Sequence, residues 1–253
     1  MRCKYLDHQI NVRTDGQYRL CCMSLEPEND YNIKTHTPQE WHDSDFHRKT
    51  REQMERGEWP DACTRCEQME KQGLTSQRLK LKAYGPGLSH LDLRLGNSCN
   101  LKCISCWHMS SSSIAEEAIA MQKAGITPLH GILDVPNFNW SSPETFDKLL
   151  ELPIQEVYFT GGEPMMVKHL PAFLERLDPD TQIRFNTNCT IWNPKLEKLL
   201  RKFRMVIMSL SLDATDRRID YIRHGSKWKE IIEPNLHRYG SFAKVDIAPT
   251  VSI

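Results

Sequence analysis

From residue 90 onward the chain alternates short β-rich runs with segments of helical period, and this alternation limits the fold more than any other feature. The runs are "HLDLRL" (90–95), "EVYFT" (156–160), "QIRFNT" (182–187), "MVIMSLSL" (205–212) and "KVDIAPTVSI" (244–253). Between them "SSIAEEAIAMQKAG", "SPETFDKLLEL", "HLPAFLERL", "NPKLEKLLRKF" and "SKWKEIIEPNLHRYG" mostly carry apolar residues three or four apart, the spacing of one helix face. Strands alternating with helices build βα units on a parallel sheet, open or curled into a barrel. The fold class expected is therefore α/β, with active-site loops at the carboxyl ends of the strands.

Residues 1–75 have a different texture: polar, cysteine-bearing and short of apolar runs, with one helix expected near "EWHDSDFHRKTREQMERG". Such a segment is too thin to fold on a core alone, and a metal centre would supply what burial cannot. Residues 76–89 read as a linker, rich in Gly, Pro and Lys, to a second domain at 90–253. The 33 Lys and Arg balance the 33 Asp and Glu, so net charge gives no argument for nucleic acid or a membrane surface. The N-terminus lacks the apolar core of a signal peptide, and no apolar run approaches the ~20 residues of a membrane span, so a cytoplasmic location is expected. Nine cysteines in a reducing compartment, clustered as they are here, favour metal or redox use over disulfides. Isolated Cys189 best suits a buried thiol packed as a small hydrophobe.

Cys99, Cys103 and Cys106 directly follow the first run, in "NSCNLKCISCWHMSSS". Three thiolates hold three irons of a 4Fe-4S cube and leave the fourth open, whereas a closed cluster or structural zinc site normally takes four ligands. An open metal position is where a substrate binds. A zinc reading needs a fourth ligand, and His108 is the conceivable one, at an awkward spacing.

The C-x3-C-x2-C spacing within "CNLKCISC" resembles the signature of the radical S-adenosylmethionine (SAM) superfamily. "YFTGGEP", "NTN" and "SLD" resemble that family's motifs at the ends of the second, third and fourth strands. The resemblance implies a partial (β/α)6 barrel over 90–253 and a 4Fe-4S cluster on Cys99, Cys103 and Cys106, its open iron chelated by SAM. It also implies reductive cleavage of SAM to a 5′-deoxyadenosyl radical that takes hydrogen from substrate. By matching position it places Gly161, Gly162, Glu163 and Pro164 at the methionine amino group and Asn188, Ser211 and Asp213 at polar cofactor contacts. Arg223, in "DYIRHG", falls on the methionine carboxylate, which a guanidinium meets bidentately. Read as bare residues, the same positions are loop punctuation, strand-end caps and a solvated helix arginine. One departure stands out: Ser105 occupies the place where the family usually packs an apolar side chain on adenine, with Trp107 as the aromatic neighbour that would compensate.

Upstream, Cys3, Gly16 and Cys21 form C-x12-G-x4-C, and "DACTRCE" adds Cys63 and Cys66. This resembles the SPASM and twitch auxiliary-cluster domains of radical SAM enzymes, here a small α+β domain at the N-terminus. The resemblance implies a second 4Fe-4S cluster on Cys3, Cys21, Cys63 and Cys66, with Cys22 able to replace Cys21. A four-cysteine zinc site uses the same thiolates, and a thioredoxin-like pair lacks its βαβ context. Cysteines for a further site are absent, which matches the twitch case.

The order is unusual, since the auxiliary segment precedes the barrel. The chain also stops on "PTVSI", in the expected fifth of the family's six strands, which reads as a C-terminally shortened chain or a strand supplied by a partner. The family further implies a one-electron donor such as flavodoxin or ferredoxin and, through its SPASM and twitch members, a peptide or protein side chain as substrate. No catalytic acid or base stands out. The competing class is a non-catalytic iron-sulfur or zinc protein that uses the scaffold for electron transfer or binding, motivated by the missing strand and by Ser105.

Overall fold

The computed structural model describes residues 1–80, 85–128 and 138–250. In chain order its strands are β1 Gln9–Val12, β2 Tyr18–Arg19, β3 His90–Arg94, β4 Lys102–Cys103, β5 Glu156–Thr160, β6 Gln182–Thr187, β7 Val206–Leu210, β8 Arg223–His224 and β9 Lys244–Ile247. Seven of them form one sheet in the order β2-β1-β3-β5-β6-β7-β9. All neighbours from β1 to β9 are parallel, and β2 alone is antiparallel, returning on β1. The last expected strand is shorter than its apolar run: β9 ends at Ile247 and forms the sheet edge among the described residues, while 251–253 lie outside them.

The N-terminal segment shares its sheet with the strands of the expected second domain. β1 pairs in parallel with β3 from Gln9↔His90 to Val12↔Leu93, so the first seventy residues extend the main sheet. The physical reason is the edge of β3, an apolar strand that would otherwise present unpaired backbone groups to water. Ile10, Val12, Tyr18, Leu20, Ile33, Trp41 and Met54 are all at most 1% exposed and belong to the same core as Leu91, Phe159 and Phe185. The segment that looks too thin to fold alone folds by sharing its neighbour's core. Its one expected helix divides into Pro38–His42 and Asp45–Glu55, because Ser44 caps the second by accepting from the His47 amide. The expected linker carries a short helix, Gln77–Lys80, and its residues 81–84 lie outside the description.

Successive side chains on a strand face opposite ways. On β1, β3, β5 and β6 the residues Ile10, Val12, Leu91, Leu93, Val157, Phe159, Ile183 and Phe185 pack into the core. Their alternates Gln9, His90, Asp92, Arg94, Glu156, Tyr158, Thr160, Arg184 and Asn186 instead line a cavity on the other face of the sheet. Tyr5, from the helix Lys4–His8, and Gln77 and Lys80, from the helix Gln77–Lys80, border that cavity, whose sheet wall is mostly polar.

Candidate active site

The three-cysteine loop is fastened at both ends. After Cys106 the serine run turns back on it: Ser111 Oγ donates to the Leu101 carbonyl at 2.6 Å and Ser113 Oγ to the Cys99 carbonyl at 2.8 Å. The Cys99 amide donates to Ser112 Oγ at 3.2 Å. In mid-loop, β4 pairs with β8, setting Cys103 opposite Arg223. A serine tract that looks like low complexity is thus the clamp of the site.

The Gly161–Gly162 pair is demanded by this loop. A Cβ on Gly162 would lie 2.2 Å from the Ser98 carbonyl oxygen, and one on Gly161, whose φ is +123°, would lie 2.7 Å from that of Gly96. Amides of Gly162 and Glu163 donate to the Gly96 and Ser98 carbonyls at 2.8 and 2.7 Å. Cys99, Cys103, Ser105, Cys106, Gly161, Gly162, Asn188, Ser211 and Arg223 meet around one pocket of about 210 Å³. Of the positions carried over by resemblance, Glu163, Pro164 and Asp213 do not line it. Pro164 is buried behind the wall.

Glu163 is 1% exposed, and its carboxylate accepts from the amides of Met165 and Asn188 and from Thr187 Oγ1, so it builds the "NTN" loop and does not face the pocket. Burial outweighs these three bonds and pushes its pKa up to about 7. A folded pKa above the ordinary 4.5 means that stability is fully present below 4.5 and is lost as pH rises through about 7, on the order of 3 kcal/mol. Glu163→Gln should lack this loss. Urea midpoints at about pH 5 and about pH 8 should therefore show wild type falling relative to the variant, and parallel profiles would contradict the assignment.

Arg223 does line the pocket, but most of its fork is engaged. Nε and Nη2 meet the Asp213 carboxylate at 2.8 and 3.0 Å, and Nη1 points to Cys103 Sγ at 3.8 Å. Asp213, with its side chain 1% exposed, is the anchor of Arg223 and also accepts from the Thr250 amide. Asn188 Nδ2 reaches Cys99 Sγ at 3.8 Å, so two of the three thiols have a polar donor beside them. Ser105 lines the pocket, whereas Trp107 is 49% exposed and does not, leaving the expected adenine contact without an aromatic side chain. His108 is likewise absent from the lining, against its use as a fourth ligand.

The donor set suits an iron cluster. Burial pushes Cys99 up to about 11 and raises Cys103 and Cys106, so these thiols ionise when a strong positive charge arrives between them. Among the described residues no group of three or more His, Cys, Asp or Glu is arranged for a single metal ion. A cube differs from a single ion in that each cysteine binds its own corner. Cys3, Cys21, Cys63 and Cys66 line a separate, apolar recess, where burial raises Cys3 and Cys21 and pushes Cys63 up to about 12.

The large cavity of about 670 Å³ adjoins the three-cysteine pocket: Ser110, Thr160, Gly161 and Asn186 line both. Residues 93–234 match the profile of the Radical SAM superfamily. The chain belongs to that superfamily. Curated relatives include a probable GTP 3′,8-cyclase of Methanocella arvoryzae, 29% identical over 141 residues, which cover 54% of this chain and 38% of the relative. The GTP 3′,8-cyclase of Mycolicibacterium smegmatis is 29% identical over 53% of this chain and 33% of its own length. That of Peptoclostridium acidaminophilum is 23% identical over 63% and 45%. The match thus spans less than half of each of these relatives. Superfamily membership carries with it a 4Fe-4S cluster and SAM. No helix among the described residues is long and apolar enough to cross a membrane.

The sequence reading missed the cavity. Its signal was present in "LDLRL", "VYFT" and "IRFNT", where every second residue is polar or amphipathic in strands that a doubly covered sheet would fill with apolar ones.

Proposed function

We propose that this chain is a radical SAM enzyme that abstracts hydrogen from a polar, anion-bearing substrate held in the 670 Å³ cavity. Cys99, Cys103 and Cys106 would hold a 4Fe-4S cluster that, when bound and reduced, would supply the electron for splitting SAM into methionine and a 5′-deoxyadenosyl radical. The observation that carries the reading is the shared wall of Ser110, Thr160, Gly161 and Asn186, which opens the cluster pocket into a cavity large enough for a substrate. Arg94 lines that cavity and makes no ion pair or side-chain hydrogen bond among the described residues, which leaves a guanidinium for a carboxylate or phosphate. A nucleotide fits this chemistry and accords with the names of the relatives. A peptide substrate has only the SPASM and twitch resemblance behind it. The recess of Cys3, Cys21, Cys63 and Cys66 is proposed to hold the second, auxiliary cluster, and a flavodoxin or ferredoxin to deliver the electron.

Anaerobic reconstitution and reduction in the presence of SAM should release 5′-deoxyadenosine, and Cys103→Ala should abolish the release. A cluster-loaded protein that releases none would refute the reading. It would leave the non-catalytic alternative, which a reduced-cluster paramagnetic spectrum unchanged by SAM would support.

A further inference from the structure

Asp92 stands in the polar wall of the large cavity and is 4% exposed. Strand register sets it beside Asn11 of β1 and Tyr158 of β5, and its Oδ2 accepts from Asn11 Nδ2 at 2.7 Å. Asn11 is itself buried, so this bond holds the carboxylate in place. Among the described residues Oδ1 accepts no hydrogen bond, and neither oxygen enters an ion pair. Burial, only partly offset by the nearby charge of Arg94, pushes the Asp92 pKa up to about 6, so a buried anion lines the cavity at neutral pH. Other charges of the wall have neighbours: Glu156 lies 3.8 Å from His90 Nδ1, and Arg184 lies over the Tyr158 ring and 3.9 Å from Asp246. Lys80 is exposed. Asp92 and Arg94, two residues apart on the cavity face of β3, remain without ion-pair partners among the described residues.

We infer that Asp92 determines specificity in this cavity by accepting from a substrate nitrogen group that carries two or more N–H donors, while Arg94 takes the substrate's anion. The inference rests on the reading of this cavity as the substrate site. Holding Asn11 needs only an acceptor, which an asparagine at position 92 would supply without a buried charge, so the carboxylate exceeds what the fold requires. A carboxylate kept from water costs free energy until donors or a cation satisfy it. A guanidinium group, or a base edge with adjacent N–H groups, does so. An edge that turns an acceptor toward Oδ1 is repelled, so the same carboxylate excludes as well as attracts. Arg94 stands opposite Thr160, which belongs to the wall shared with the three-cysteine pocket. Asp92 stands one row of side chains farther along the strand, about 6.6 Å away. The two side chains therefore orient the substrate along β3 as well as select it.

The test is calorimetric binding to the cluster-loaded full chain with SAM and without reductant. Guanosine 5′-monophosphate and guanidinoacetate pair an anion with adjacent N–H donors, whereas adenosine 5′-monophosphate and butyrate are their counterparts without that donor pair. Wild type should bind at least one donor-bearing probe about tenfold or more tighter than its counterpart, the worth of a hydrogen bond to a charged group. Asp92→Asn, which keeps an oxygen for Asn11, should erase this preference and leave the affinities for adenosine 5′-monophosphate and butyrate unchanged. A preference confined to the nucleotide supports a base edge as the donor, and one confined to guanidinoacetate supports an aliphatic nitrogen group. No preference in wild type, or one that survives in Asp92→Asn, overturns the inference. Binding is read without turnover, so a wild type that shows the preference yet releases no 5′-deoxyadenosine on reduction sinks the radical reading alone. Stability supplies a readout free of ligand: with a buried charge removed, Asp92→Asn should melt at or above the wild-type temperature at about pH 8. A fall of several degrees would make the carboxylate a structural group and overturn the specificity role.

Discussion

Gly162→Ala should destabilise the protein by about 3 kcal/mol, at the upper end of what overpacking costs, and should impair cluster loading as well. The added Cβ meets backbone, at 2.2 Å from the Ser98 oxygen, 2.7 Å from the Ser98 carbonyl carbon and 2.8 Å from that of Asn97. A side chain could rotate away, but these atoms move only with the loop that leads into Cys99. The loop is held on its far side by the serine clamp, so a shift breaks the Ser112–Cys99 bonds on one face or the Glu163–Ser98 bond on the other. For a domain of this size the loss corresponds to a fall in Tm of roughly 6–12 °C. Gly240→Ala is the control, since nothing lies within 4 Å of its added Cβ, and it should be neutral or slightly stabilising. Thermal melts and iron content of the reconstituted variants measure both effects. A Gly162→Ala protein as stable as wild type would show that the two loops are less tightly joined than the distances require.

The same pair of glycines shows what a sequence makes legible and what it does not. "GGEP" is visible as a motif, and its place at the end of β5 is correctly expected from the run "EVYFT". Its physical role is not visible, because the partner that forces glycine is the backbone of residues 96–98, some sixty positions earlier. The runs 156–160 and 182–187 coincide with β5 and β6 because strongly alternating β-branched and aromatic residues fix both period and length. β1 was hidden for the opposite reason. "QINV" is only four residues long, and it is a strand because β3 offers an edge, which is a tertiary fact. Likewise the three cysteines announce themselves by spacing, but the anchoring of Arg223 by Asp213 depends on a two-residue pairing of β4 with β8 that no local pattern encodes. Spacing within one loop is legible in sequence, whereas a contact across the sheet is not.

Arg223→Met should cost about 3–5 kcal/mol, a large effect for one side chain, because it leaves the Asp213 carboxylate buried without its partner. The side chains are 10% and 1% exposed, so little solvent is available to compensate. Arg223→Lys should recover only part of the loss. An ammonium matches the charge, but it cannot reach both Asp213 oxygens and Cys103 Sγ from one planar group, as the guanidinium does. Removing both charges in Arg223→Met/Asp213→Asn should be milder than Arg223→Met alone, since the unpaired carboxylate is gone. The double-mutant cycle therefore separates the burial penalty from the rest. A further readout distinguishes an active-site role from a structural one. Loss of the Nη1 donor beside Cys103 removes a hydrogen bond that stabilises charge on a cluster sulfur, so the reduction potential of the reconstituted cluster should fall in Arg223→Met and in the double variant alike. If stability returns in the double variant while the potential stays low, Arg223 has two separable tasks, holding Asp213 and tuning Cys103. If both return together, the contact to Cys103 is incidental to the ion pair.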